Sequence, residues 1–333
     1  MTPRASVAAS RSMTLATLLG ALLGCGRAPQ VAERDERVVI RAVAYRGWSD
    51  AWSLSDGRIE LVIVPGVARV MRLGRIDGPN LLWEDAALDG PDADPAAALG
   101  GGKTWPWPYA SWKQVQEHWW PAPFPRAAYR ADIVDGPHGS ALRLTGPDHA
   151  ATGTRVVETF AISAAGAIEV ESRLLRLRDD APAFVPWYVL QMAPPESLHA
   201  RRVAGSTLPD GWTALMGAPE VRASAAWIRL PTRAAQQTKV GIDGDALIWV
   251  RRGDALVFEH VAHDAAAHPP GEALQSYVQS GDPAAVFVEL EATAPPGVLV
   301  LRTRWRLIDL DPGLALDQRI LHAQQAAARP AAR

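Results

Sequence analysis

The chain has 333 residues, with 34 lysines and arginines scattered among 36 aspartates and glutamates, which leaves no electrostatic footprint for nucleic acid. Hydrophobic residues make up 48% of the sequence, enough to build a sizeable core. A single cysteine, Cys25, excludes an intrachain disulfide and thiol catalysis anywhere else in the chain.

At the start, Arg4 and Arg11 precede an apolar run over residues 13–24 that closes on Leu22-Leu23-Gly24-Cys25. At about a dozen residues this run is too short to span a bilayer as a helix and has the layout of a secretory signal. A small residue directly before the cysteine makes a lipobox, and the segment resembles the start of bacterial lipoproteins. That resemblance implies a signal peptide over 1–24, lipid on Cys25, a tether through residue 38, and a membrane partner through the anchor. It also implies a periplasm-facing place in the cell envelope, with Gly26 rather than an aspartate favouring the outer membrane.

Beyond the tether, short alternating or apolar runs bounded by turn residues predict strands over 58–64, 67–73, 141–145, 154–162, 167–178, 184–192, 225–230, 246–251, 255–260, 285–292 and 298–310. Helical periodicity is nearly absent, its best stretch being part of 264–279. No fixed-period repeat is visible, which disfavours propellers and solenoids. The pattern describes an all-β antiparallel sandwich in one large domain over 39–315, followed by a frayed, partly helical tail over 316–333. On the strand predicted at 167–178, Glu169, Glu171 and Arg173 alternate with apolar residues, so one face is wet, and a concave wet face suits a polar ligand.

The most distinctive stretch is Gly100-Gly101-Gly102-Lys103-Thr104-Trp105-Pro106-Trp107-Pro108. Its prolines exclude a helix and predict a stiff, irregular loop. A phosphate loop is excluded, because Ala97 stands where glycine is needed and Trp105-Pro106 where a helix must begin. Indole rings on rigid backbone beside a lysine suit a ligand with flat C–H faces and hydroxyls, which is a carbohydrate. Trp105, Trp107 and Trp112 would stack on it, and Lys103 and Gln191 would bond its hydroxyls. The same stretch also reads as a plug packed beneath its own domain.

Residues 53–65, followed by Gly78-Pro79-Asn80-Leu81-Leu82-Trp83-Glu84, resemble the opening of galactose-mutarotase-like proteins. Gly101-Gly102-Lys103-Thr104-Trp105-Pro106-Trp107-Pro108 is closer still to a branch of that superfamily, the domain-of-unknown-function family numbered 4380. Pro186-Trp187-Tyr188-Val189-Leu190-Gln191, Lys239-Val240-Gly241 and Val288-Glu289-Leu290-Glu291 follow in the expected order. The resemblance covers most of the chain and implies a galactose-mutarotase-like supersandwich of antiparallel sheets with a carbohydrate-binding ancestry. By itself it does not imply catalysis.

Anomer interconversion needs a base for the anomeric hydroxyl and an acid for the ring oxygen. In the mutarotases these are a late-strand glutamate and a histidine in a His-Pro-Tyr-like motif, whereas the matching stretch here, Val185-Pro186-Trp187-Tyr188, has no histidine. Glu289 and Glu291, two apart on a strand, face the same way, and two close carboxylates lift the pKa of one. Glu289 is therefore the candidate base and Glu291 a further ligand contact, unless both simply face solvent. His118, beside Trp119-Trp120, is the candidate acid, with Lys103 as the other choice. His260, His263, Asp264 and His268 lack a regular ligand spacing, so neither a metal nor a cofactor is assigned. Three readings follow. One is an envelope lipoprotein that holds a sugar, the second an aldose 1-epimerase-like isomerase with Glu289 as base and a non-standard acid. The third is a non-catalytic assembly or docking lipoprotein whose protein partner is unknown.

Overall fold

The computed structural model describes residues 38–85, 90, 100–117, 128–261, 267–281 and 286–329. The signal segment, Cys25, the tether, His118, Trp119, Trp120, His263 and Asp264 lie outside the described residues.

Among the described residues the chain forms two antiparallel sheets of ten strands each. The first runs Val39–Tyr45, Trp48–Ser55, Ile59–Val64, Arg69–Arg75, Gly101–Trp107, Val185–Met192, Val288–Thr293, Leu274–Val278, Thr238–Ile242, Trp212–Met216 from edge to edge. The second runs Arg222–Ala223, Trp227–Leu230, Ser197–Arg202, Gly244–Arg251, Asp254–His260, Val300–Asp309, Ile168–Arg176, Thr154–Ile162, Gly139–Thr145, Arg130–Gly136. Their inward faces share one core, in which Tyr188 of the first sheet meets Trp305 of the second with ring centroids 5.4 Å apart. Burying alternate residues of both sheets in this way is the sandwich solution to the period-two pattern.

The glycine-tryptophan-proline stretch is a strand, Gly101–Trp107, in the interior of the first sheet, so the expectation of an irregular loop is corrected. Two local facts let it pair. Pro106 lies directly opposite Pro186, so two residues without amide hydrogens share a position that exchanges no hydrogen bonds. On its other side the strand pairs with Arg69–Arg75 only at Val70 opposite Gly102, which leaves Pro106 no ladder to break there. The glycines answer to close approach: at Gly101, with φ of +74°, an added Cβ would lie 2.3 Å from the Val70 carbonyl oxygen.

A second correction concerns 264–279, where the described part holds the strand Leu274–Val278 and no α-helix. The tail is helical over most of its described length. Residues Leu316–Ala328 form an ordered helix whose Ala323 and Ala327 pack against Ile248, Val250 and Val257 on the outer face of the second sheet. Arg201 and Arg306 donate to the carbonyls of Ala327 and Ala326 at 2.7 and 3.0 Å, satisfying acceptors that a free helix end exposes to water. The wet face read from Glu169 and Glu171 also lies on the second sheet. Both carboxylates are taken up there by Arg304 and Arg302, at 2.9 and 2.8 Å, so that face carries a row of ion pairs.

Between the sheets lies one buried carboxyl. Glu158 accepts a hydrogen bond from the Thr104 hydroxyl at 2.6 Å, and its pKa rises to about 7, because burial outweighs that bond. A carboxyl raised in the folded state stabilises the fold below its ordinary value of 4.5, and this contribution is lost as pH climbs through about 7. Glu158→Gln keeps an acceptor for Thr104 and removes the titration. The unfolding free energy of wild type relative to the variant, from urea titrations, is expected to fall from pH 5 to pH 8 by about 3 kcal/mol at most. A constant difference across that range would count against the burial account.

Candidate functional site

The site is built on five adjacent strands of the first sheet, and register sets its layout. Lys103, Val189, Glu291 and Gln275 lie in one row across the strands, and Gly101, Gln191, Glu289, Tyr277 and Lys239 in the next. Trp105, Trp187 and Thr293 form a third row. Because side-chain direction repeats every second residue, all three rows point to the same face. The intervening residues Thr104, Tyr188, Leu290 and Val240 point into the sandwich core.

Glu291 is fully buried. Its Oε2 takes an ion pair from Lys239 Nζ at 2.8 Å and a hydrogen bond from the Trp187 indole at 2.8 Å. Lys239 lies over the Trp187 ring at 4.6 Å from the centroid, and Lys103 over Trp105 at 4.1 Å, so each ammonium rests on an indole face. Glu289 Oε1 accepts from Gln191 Nε2 at 2.8 Å. Arg69, itself buried, donates to the Gly100 carbonyl at 2.6 Å.

Crowding of charge in a dry place shifts the titrations. Burial, seconded by the Glu291 charge, raises Glu289 to about 7 against the pull of Lys239, Lys103 and the Gln191 bond. Burial and the Arg69 charge hold Lys103 well below the ordinary lysine range, with Glu289 opposing. Burial brings Arg69 down to about 10. Glu289 is thus suited to accept a proton near neutrality, and Lys103 gives up its proton more readily than an ordinary lysine.

Four buried polar atoms of this face have no hydrogen-bond partner among the described residues: Gln191 Oε1, Glu291 Oε1, and both the Oε1 and Nε2 of Gln275. A buried amide that bonds to nothing costs free energy, and native proteins keep such groups where something else completes them. Gln275 stands directly opposite Glu291 in the sheet, so these orphaned atoms are neighbours.

Of the residues singled out in the sequence, Lys103, Trp105, Gln191, Glu289 and Glu291 come together here. Trp107 joins at the edge, its indole donating to Glu272 at 3.1 Å. Trp112 does not join as a stacking surface: it is 2% exposed, donates to the Pro106 carbonyl and packs edge-on against Trp105 from behind. Trp105 and Trp107 are 9% and 8% exposed, so they offer edges rather than open shelves. His118 lies outside the described residues. Of the described histidines, His260 and His268 both contact the carbonyl of Thr293, a member of the third row, at 3.0 Å. Among the described residues no group of three or more His, Cys, Asp or Glu side chains is placed to hold a metal.

Sequence reasoning missed Arg69, Trp187, Lys239 and Gln275 as site residues. A signal existed for two of them. Trp187 and Gln191 are four apart on one strand and so share a face, and Lys239 is a charge inside an otherwise apolar run. Arg69 and Gln275 carry no such mark, because only sheet register brings them near Glu289.

No protein-family model matches the chain, and no curated protein does. Among solved structures it is similar to YeaD from Salmonella typhimurium, provisionally described as a mutarotase, at 13% identity and a TM-score of 0.53, covering 82% of this chain and 94% of that one. It is also similar to galactose 1-epimerase from Lactobacillus acidophilus, at 11% identity and a TM-score of 0.48, covering 82% and 99%. The fold is the galactose-mutarotase-like β-sandwich.

Proposed function

We propose that the protein binds a carbohydrate on the Lys103–Glu289 face of its first sheet. The observation that carries this reading is the set of orphaned buried polar atoms on Gln191, Gln275 and Glu291, bordered by indole edges and three cations. Polar groups aimed at one place and flanked by aromatic rings suit a ring of C–H faces and hydroxyls. The sugar-related descriptions of the fold neighbours support the same reading. The glycine-lysine-tryptophan-proline motif keeps the domain-of-unknown-function branch as the proposed kinship. The lipobox ending at Cys25 makes the protein, in this proposal, a lipid-anchored, periplasm-facing envelope protein.

Titration of the full chain with a panel of neutral aldoses and oligosaccharides, followed by tryptophan fluorescence, tests the binding. Saturable quenching is expected for at least one sugar, and Lys103→Met is expected to weaken it at least tenfold. Silence across the panel, or equal affinity in the variant, would overturn the reading and favour a docking lipoprotein.

A second reading is favoured by one observation, the opposite shifts of two neighbouring groups, Glu289 raised to about 7 and Lys103 held well below the ordinary lysine range. In an aldose 1-epimerase-like reaction Glu289 would take the anomeric proton and Lys103 would protonate the ring oxygen. The lysine would then do the work that a histidine does in the mutarotases.

A further inference from the structure

On the second sheet, Arg222 and Arg229 face each other directly across the antiparallel pair Arg222–Ala223 with Trp227–Leu230. Opposed residues on neighbouring strands hold their Cβ atoms about 5 Å apart, and like charges there repel. Elsewhere on this sheet arginines stand opposite carboxylates, Arg302 facing Glu171 and Arg304 facing Glu169. Here neither guanidinium has a hydrogen-bond or ion-pair partner among the described residues, and neither has that of Arg233.

All three arginines line one cavity of about 510 Å³, within the usual range of small-ligand pockets. Its lining contains a single carboxylate, Glu220, so three positive charges meet one negative charge. Thr238 also lines it; this residue is 4% exposed, and its hydroxyl has no hydrogen-bond partner among the described residues. His199, directly opposite Arg229 on the next strand, is pushed down to about 4 by burial and then by the Arg229 charge, so it is neutral at physiological pH. Thr238 and Lys239 are consecutive on one strand and point to opposite faces, so this cavity and the Glu289 cluster lie on different sides of the first sheet.

We propose that this cavity binds an oxyanion, the phosphate or carboxylate group of a small acidic ligand, at a site separate from the Glu289 face. Two opposed guanidiniums present parallel N–H donors that match the oxygens of such a group, which relieves their mutual repulsion. The third arginine adds charge from the cavity wall, and the Thr238 hydroxyl supplies a neutral donor.

Calorimetric titration with inorganic phosphate, and separately with glucuronate, at ionic strength held constant with sodium chloride, tests this without confusing binding with screening. Saturable binding of at least one probe is expected, weakened tenfold or more in Arg222→Gln and in Arg229→Gln and unchanged in Glu289→Gln. Without the probe, both arginine variants are expected to melt no lower than wild type, since a repulsion has been removed. With it, only the wild type should gain Tm. Phosphate alone binding would mark the ligand as a phosphate ester, glucuronate alone as a carboxylate. The proposal is overturned if neither probe saturates, if the arginine variants bind as tightly as wild type, or if glucuronate binding is lost in Glu289→Gln and kept in Arg229→Gln. Because the sugar reading is tested with neutral aldoses and Lys103→Met, either can fail while the other stands.

Discussion

Lys239→Met is expected to destabilise the protein by about 3–5 kcal/mol, the range found when one partner of a buried ion pair is removed. Glu291 is fully buried, and its Oε2 depends on Lys239 and the Trp187 indole, while its Oε1 has no partner among the described residues. Without the ammonium, the carboxylate must remain charged in a dry site or take up a proton, and either outcome raises the free energy of the folded state. The pair Lys239→Met with Glu291→Gln removes both charges, and most of the loss should return. A double-mutant cycle from urea midpoints reads the coupling directly. If the single variant costs less than about 1 kcal/mol, or if the double variant recovers nothing, the pair is not what holds these strands' polar face together.

Glu289→Gln is expected to lower the rate of anomer interconversion by about 10²- to 10⁴-fold, the usual contribution of one positioned acid or base. The substitution can keep the hydrogen-bond geometry with Gln191 while removing the ability to accept a proton. Sugar affinity should therefore change by no more than a few-fold, and the loss should fall on the chemical step. The pH profile gives a second check. A base must be ionised to work, so the wild-type rate should climb as pH rises through about 7. Loss of the proton from Lys103, the acid, should lower the rate in turn. Exchange spectroscopy on the two anomers measures both. Equal rates in wild type and variant would remove the isomerase reading and leave the binding reading in place.

Much of the sandwich was legible because period-two alternation survives wherever one face of a strand is dry. The strand Thr154–Ile162 coincides with its predicted range, and Val300–Asp309 falls inside its own. The Lys103 strand was not legible, since prolines argue locally for a loop. Only the pairing of Pro106 with Pro186, distant in sequence, makes the strand possible. The terminal helix was underestimated for a similar reason: alanine-rich sequence looks frayed until Arg201 and Arg306 are known to hold its last carbonyls. Within the site, Glu289 with Glu291 was visible as an alternation inside one strand. Arg69 and Gln275 reach them only through cross-strand register, which no local window of sequence contains.

The proline-on-proline step has a consequence for how accurately the chemistry can be aligned. Sliding Gly101–Trp107 by one residue along its neighbour would set an imino nitrogen where a carbonyl needs an N–H, and would turn Lys103 and both indoles through to the opposite surface. The two prolines therefore act as a vernier mark, forbidding the nearest wrong settings of the strands. Lys103 and the Glu289–Glu291 strand stay level with each other across Val185–Met192, whatever ligand later arrives between them.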